Sequence, residues 1–169
     1  HYRLRNYLNR NCENYPTHEL GPIAKLLGIN RGNRMVSLVS MASKAAGLEA
    51  FVKSRKDRVD PELQGKKFMQ GDIITTIIKC AHGETIQISL DTCLPRGSDR
   101  AFCVHGTEAI SERWNFMKDG GNWRSLKDDA FKKYEAEVWS TMTEQDRLLG
   151  HGGMDGVEFR QFVDCVRNG

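Results

Sequence analysis

Two residues near the start of the chain, Tyr15 and His18, have the types and the spacing that acid–base chemistry needs. An imidazole can carry a proton near neutral pH, and a helix N-terminus tends to keep it neutral and able to act as a base. A phenol three residues earlier can hydrogen-bond a ligand hydroxyl. A lone histidine near a helix start is also often a capping or surface residue, so both interpretations stay open at this point.

The residues around this pair predict that it stands at the mouth of a helix. Pro16 suits a first helical turn, where its missing N–H needs no partner, and it pushes Tyr15 toward extended geometry. Pro22 is tolerated because it falls within about the first turn and a half. Gly28 is typical of a helix C-terminus. Four apolar residues share one face of this helix at the required spacing: Leu20, Ile23, Ala24 and Leu27.

The rest of the chain predicts an α+β domain. Residues 1–10 fit either an edge strand or a segment from the sheet of a longer protein. Alternating residues around the turn at His82 and Gly83 indicate a β-hairpin. The other elements are predicted as a strand over 34–44, a short helix over 45–53, the hairpin strands over 72–81 and 84–94, strands over 100–107 and 109–117, and helices over 127–138 and 154–167. Such a meander forms one open, mostly antiparallel sheet with helices covering one face.

Composition and spacing disfavour several other classes of function. The 169 residues carry a formal charge of only +3, spread too evenly for a nucleic-acid surface, and no apolar run is long enough for a membrane span. The five cysteines include no C-x-x-C and are interpreted as structural thiols. No histidine and acidic residues have metal-ligand spacing, and no carboxylate pair is evident. The glycine-rich run 150–153 does not follow a strand, so a dinucleotide-binding interpretation fails.

A longer run around Tyr15 and His18 carries a family resemblance. Residues 11–34 read N-x-x-N-Y-P-T-H-x-L-G-P-I-A-x-x-L-x-I-N-R-G-N-R. This pattern resembles the NAD-dependent glycosidases of the α-N-acetylgalactosaminidase type, within the wider glucose-fructose oxidoreductase, inositol dehydrogenase and MocA family. Three later runs agree in order: 41–44, 71–73 with 83–85, and 151–155. Several separate motifs in register are far more specific than any one of them.

The resemblance implies roles for particular residues. The tyrosine and histidine of Y-P-T-H line the sugar site beside the nicotinamide ring in these enzymes, so His18 and Tyr15 are the catalytic candidates. Asp91 and Arg96, in a D-T-x-L-P-R segment that faces the site in the family, are candidates for substrate binding. His151, in the glycine-rich run G-H-G-G-M-D, is a third.

Two qualifications accompany these assignments. His151 could instead belong to a simple turn, with Asp155 as the cap of the last helix. The family also leads us to expect a tyrosine shortly after Arg96, where this chain has Gly97, Ser98 and Asp99. One stacking or hydroxyl contact to the sugar would then be missing. His82 and His105 are interpreted as turn and strand residues.

The implied mechanism is redox-assisted elimination and hydration. A sugar carbon gives hydride to NAD⁺, a base removes the acidified neighbouring proton, the glycosidic oxygen leaves, water adds and the hydride returns. The implied cofactor is bound mainly by an upstream Rossmann half. That half is not in this chain, which does not begin with methionine and fits the C-terminal part of a longer protein.

We therefore expect residues 1–169 to be a single substrate-side domain, with 118–150 as a variable excursion. The expected partners are a sugar or glycoside, the upstream Rossmann domain and a second copy bound through the open sheet, without nucleic acid or membrane. Two alternatives stay open. The parent protein could be a sugar oxidoreductase that releases reduced cofactor, or the domain could be a non-catalytic binding or assembly module.

Overall fold

The computed structural model describes residues 2–91, 93–97 and 99–169. They form two compact units, the first ending at Arg100 and the second running from Ala101 to Gly169. The helices and the two unclosed antiparallel sheets confirm the predicted α+β class. The prediction that 1–169 is a single domain stays a prediction, as does the variability of 118–150.

The first unit contains a three-stranded antiparallel sheet in the order β1-β2-β3. Ile78 in its central strand pairs with Leu38 on one side and Ile86 on the other. The predicted hairpin is confirmed, with Gly83 at a φ of 106° in its turn. The elements of this unit are α1 (Tyr2–Tyr7), α2 (Thr17–Leu26), β1 (Met35–Ala42), α3 (Gly47–Ser54), a 3-10 turn (Pro61–Leu63), β2 (Ile74–Cys80) and β3 (Thr85–Leu90).

Helix α2 covers one face of this sheet. It continues through Pro22, because the preceding Gly21 has no Cβ to clash with the proline ring, and it ends before Gly28 at a φ of 63°. The packed residues are Leu20, Ile23 and Leu27 from the helix side against Ile78, Cys80, Ile86 and Ile88 from the strands. The opposite face of β2 and β3 exposes Ile77, Lys79 and Gln87. The prediction of helical cover on one face is therefore confirmed for this sheet.

Within residues 1–10, which fitted an edge strand in the sequence, Tyr2–Tyr7 form helix α1 instead. Leu4 and Tyr7 lie three residues apart, so a helix brings both to one face, where they are only 6% and 7% exposed. They pack in a second cluster with the buried Leu48 and Val52 of α3. The backbone carbonyl of Tyr7 accepts hydrogen bonds from the amides of residues 69 and 70.

The second unit contains a four-stranded antiparallel sheet in the order β4-β5-β6-β7 and a pair of C-terminal helices. Its elements are β4 (Cys103–His105), β5 (Ala109–Glu112), β6 (Asn115–Lys118), β7 (Arg124–Ser125), 3-10 turns over Asp129–Tyr134 and Glu137–Thr141, α4 (Glu144–Arg147), a 3-10 turn over His151–Gly153 and α5 (Met154–Asn168).

Three predictions need correction here. The single meander is two separate sheets. The expected strand over 109–117 is a hairpin, because Arg113 takes a φ of 55° and reverses the chain. The expected helix over 127–138 is replaced by two 3-10 turns separated by extended residues at Glu135 and Ala136. Helix α5 matches its prediction.

Asp146 joins the two C-terminal helices. Its carboxylate accepts hydrogen bonds from the Thr143 amide and hydroxyl at 2.7 and 2.8 Å, and from the Arg160 guanidinium at 2.7 Å. Gly156 of α5 packs so closely that a Cβ there would lie 2.8 Å from the Asp146 Cα atom. The contact therefore requires glycine on one helix and a carboxylate on the other.

These bonds predict a pH dependence of stability. Hydrogen bonds from the Thr143 backbone first, then its hydroxyl and Arg160, hold the pKa of Asp146 below its ordinary value. A lowered folded-state pKa gives stability that is present above the ordinary carboxyl pKa and is lost as the pH falls through the folded value. We expect Asp146→Asn to unfold at a lower temperature than wild type at neutral pH, with the gap closing in acid. Circular dichroism melts from neutral to acidic pH, with the exposed Asp164→Asn as control, test this; a gap independent of pH would contradict it.

Candidate functional site

The candidate site is a cavity of about 540 Å³ within the first unit. It lies between α1, the segment that leads into α2, and the chain that follows β3. Four of the five predicted site residues line it: Tyr15, His18, Asp91 and Arg96. The pair Tyr15 and His18 is far in sequence from the pair Asp91 and Arg96, so it is the tertiary fold that brings the two pairs to one cavity.

Tyr15 and His18 form a contacting pair at the start of α2. The Tyr15 hydroxyl lies 2.8 Å from His18 Nε2, and either atom can donate, depending on the imidazole tautomer. The two rings meet edge to face with centroids 4.9 Å apart. The Arg3 guanidinium lies over the Tyr15 ring at 5.4 Å. Pro16 occupies the N-cap position of α2, so no side chain caps the first backbone amides of this helix. The pair is exposed to solvent and accessible to a ligand.

Asp91 and Arg96 form an ion pair in the segment that follows β3. Arg96 Nε lies 2.6 Å from Asp91 Oδ2, and the Asp91 side chain is only 13% exposed. Of the family positions after Arg96, Gly97 and Asp99 line the cavity, whereas Ser98 lies outside the described residues.

The charges that line the cavity balance. Its positive side chains are Arg3, Arg10, Arg96 and Arg100, and its acidic ones are Glu13, Glu19, Asp91 and Asp99. Arg100 pairs with Glu19 at 3.1 Å, as Arg96 does with Asp91. A cavity with equal numbers of both signs favours an uncharged, hydroxyl-rich ligand over a strongly anionic one.

Sequence reasoning missed Glu13, which lines the same cavity two residues before Tyr15. Its Oε2 atom is buried and has no hydrogen-bond partner among the described residues. Burial raises the pKa of the Glu13 carboxyl, the neighbouring Glu19 adds to this, and a hydrogen bond with the Tyr15 backbone opposes it. An acidic residue inside the motif was visible in the sequence, but its burial was not.

Gln70 holds the segment that carries this glutamate. Its side chain is fully buried, at 0% exposure. Its Oε1 accepts from Asn14 Nδ2 at 2.7 Å and from the Cys12 amide at 3.4 Å, and its Nε2 donates to the Cys12 carbonyl at 3.2 Å. Asn11 Oδ1 accepts from the Gly71 amide at 3.0 Å. The residues on both sides of Glu13 are thus hydrogen-bonded to the segment that precedes β2.

Replacing Gln70 with leucine should destabilise the first unit by about 1–3 kcal/mol, because the Cys12 backbone and the half-buried Asn14 side chain lose their hydrogen-bond partner. Chemical denaturation measures this change. Gln87→Leu, on the exposed face of β3, is the control and should change stability by less than about 0.5 kcal/mol. Equal effects of the two substitutions would show that the buried network contributes nothing.

The fifth predicted residue, His151, lies in the second unit. Its Nδ1 is 2.8 Å from Asp155 Oδ1, and its φ of 55° is unusual for a residue with a side chain. The predicted cap role of Asp155 is not seen, since Gly153 occupies the N-cap position and the Asp155 carboxylate bonds His151 instead. A carboxylate on Nδ1 orients an imidazole and leaves Nε2 for a ligand.

The described part of the chain contains neither a metal-ligand cluster nor a membrane-spanning helix. No group of three or more His, Cys, Asp or Glu side chains there could hold a metal ion. No described helix is both long and apolar enough to cross a membrane. The five cysteines, all among the described residues, are free thiols; Cys80 and Cys93 are buried as predicted for structural thiols, whereas Cys12, Cys103 and Cys165 are exposed. His82 and His105 lie in the hairpin turn and in β4, as expected.

Comparison with known proteins identifies the class to which this chain belongs. The model of the C-terminal domain of glycosyl hydrolase 109 matches residues 1–169. The chain therefore belongs to glycosyl hydrolase family 109, as its C-terminal domain.

Individual relatives agree with this assignment. The chain is 39% identical to an α-N-acetylgalactosaminidase of Tannerella forsythia and 37% identical to a glycosyl hydrolase family 109 protein of Parabacteroides distasonis, with 99% of the chain aligned in both cases. A family 109 protein of Stenotrophomonas maltophilia is 34% identical over 98% of the chain. The alignments span only 36%, 37% and 38% of these three proteins. The family resemblance of the Y-P-T-H run is thereby confirmed at the level of the C-terminal domain.

Proposed function

We propose that this chain is the substrate-binding domain of an NAD-dependent glycosidase that acts on an N-acetylgalactosaminide-like sugar. The observation that carries the proposal is the 2.8 Å contact between Tyr15 and His18 at the edge of a charge-balanced cavity, in a chain that matches family 109 throughout. The relative from Tannerella forsythia, named an α-N-acetylgalactosaminidase, supports the choice of sugar.

The proposed catalytic work of this chain is proton transfer at His18 Nε2. The Tyr15 hydroxyl bonds this nitrogen, so it can fix the ring orientation and pass a hydrogen bond to a sugar hydroxyl. Asp91 and Arg96 hold each other in place and offer a carboxylate oxygen and guanidinium N–H groups to further hydroxyls. His151, which Asp155 orients in the second unit, is proposed separately as a sugar-binding residue.

The proposed cofactor is NAD⁺, which when bound would supply hydride exchange with the sugar. The described strands pair only antiparallel within their sheets, and so do not form the crevice between parallel strands in which dinucleotides usually bind. The residues of this chain therefore do not fit as the main cofactor cradle. We propose that an upstream Rossmann half provides it, and that the chain alone is inactive.

The experiment compares two proteins: residues 1–169 alone, and the same chain preceded by its natural upstream sequence. Each is assayed for release of an aryl leaving group from an α-N-acetylgalactosaminide, with and without NAD⁺. Only the longer protein is expected to release it, without net formation of NADH. Release by residues 1–169 alone would refute the proposed division of labour.

Two alternative functions can be told apart from the proposed one by experiment. Net accumulation of NADH during turnover would identify a sugar oxidoreductase, which the same histidine and tyrosine could serve. A non-catalytic assembly module is favoured by the exposed apolar residues of β1, since Val39 is 62% and Met41 75% exposed. We propose that a second copy binds this open sheet, and sedimentation measurements with Met41→Lys as the dissociating variant would test it.

A further inference from the structure

We propose that Glu13 is a ligand-recognition residue, whose buried Oε2 accepts a hydrogen bond from a hydroxyl or amide N–H of an uncharged sugar. This inference rests on the proposed function of the cavity, which Glu13 lines together with Tyr15 and His18. Glu13 lies just before the Y-P-T-H run, in a segment for which the sequence predicted no functional residue.

The first argument is the unmet hydrogen-bonding capacity of Glu13. Its Oε2 has no partner among the described residues although the atom is buried. Buried polar atoms in folded proteins almost always have a partner, and the exceptions concentrate where a ligand or a reaction supplies one. The pKa of the Glu13 carboxyl is raised mainly by this burial, in agreement with the geometry.

The second argument is that hydrogen bonds hold the residues on both sides of Glu13 in place. Gln70 bonds both the amide and the carbonyl of Cys12, at 3.4 and 3.2 Å, and the Asn14 side chain at 2.7 Å. Because both neighbours are held by one fully buried side chain, the carboxyl is preorganised beside the catalytic candidates.

The third argument concerns the chemistry of the partner. The nearby carboxylate Glu19 repels a negative charge at Glu13 and is itself paired with Arg100. Arg96 is likewise engaged, with Asp91. An acceptor in this position suits a neutral donor, and hydroxyl and amide N–H groups are the donors that an N-acetylated sugar offers. An anionic ligand would meet like charge.

The test combines sugar affinity with stability in the protein that carries this chain. N-acetylgalactosamine binding is measured by calorimetry, and unfolding by denaturant at neutral pH, for Glu13→Met, Glu13→Gln and the control Glu49→Met. Glu49 is exposed on α3, away from this cavity. Glu13→Met should weaken binding about tenfold to a hundredfold and Glu13→Gln less, since its amide carbonyl still accepts. Both Glu13 variants should be more stable than wild type, and Glu49→Met should change neither property.

Opposite signs for affinity and stability distinguish recognition from a structural role, which would lower both. Unchanged affinity in Glu13→Met, or no sugar binding by the wild-type protein, would overturn the inference. Weakened binding in a protein that fails to release aryl glycoside with NAD⁺ would support the inference and refute the proposed function. Unchanged binding by Glu13→Met in a protein that does release the aryl group would refute the inference and support the proposed function.

Discussion

Replacing His18 with glutamine is expected to lower kcat/KM for NAD-dependent aryl glycoside cleavage by about 10²- to 10⁴-fold, the range for loss of a general acid or base. Glutamine can place a polar atom near the position of Nε2, so the 2.8 Å contact to the Tyr15 hydroxyl can persist. An amide cannot exchange a proton near neutral pH. The loss should therefore fall on the chemical step while sugar affinity changes little.

Two further variants sharpen this measurement. Tyr15→Phe keeps the ring and its edge-to-face packing but removes the hydroxyl, and should cost about tenfold, the value of one hydrogen bond. His82→Gln makes the same chemical change in the exposed hairpin turn and should leave kcat/KM unchanged. A His18→Gln enzyme that retains a third or more of wild-type activity would remove His18 from the proposed mechanism.

Replacing Gly71 with alanine is expected to destabilise the first unit by about 3 kcal/mol, as overpacking of a rigid site does. A Cβ at Gly71 would lie 2.5 Å from the Ser43 carbonyl oxygen and 3.0 Å from Ala42 Cβ. These atoms belong to the end of β1 and the residue after it, so the backbone itself must shift. The Gly71 amide also donates to Asn11 Oδ1, which connects this strain to the segment that carries Glu13 and Tyr15.

Denaturant unfolding of Gly71→Ala measures the loss, and Gly97→Ala provides the control. Gly97 has no atom within 4 Å of an added Cβ, so the same substitution there should change stability by less than about 0.5 kcal/mol. A Gly71→Ala protein as stable as Gly97→Ala would mean that β1 and β2 can separate without cost at this end of the sheet.

Local patterns in the sequence were enough for several features of this protein. Proline before Thr17, apolar residues at helical spacing and Gly28 predicted α2, and the turn that enters this helix brings Tyr15 into contact with His18. The alternation around His82 and Gly83 predicted the β2–β3 hairpin. These features depend on dihedral preferences and periodicities of neighbouring residues, which can be read one stretch at a time.

The tertiary structure alone decided the rest. Gln70 holds Cys12 and Asn14 across 58 and 56 residues of sequence, and nothing local marks a glutamine for complete burial. The burial of the Glu13 Oε2 atom, which has no partner among the described residues, also depends on how this segment packs in the folded first unit. The division of the strands into two sheets likewise depends on which strands pair, and pairing is set by burial of whole faces. The sequence by itself determined helix α2 and the spacing of Tyr15 and His18 beside its start, whereas long-range packing built the cavity around them, because burial is a property of the assembled fold.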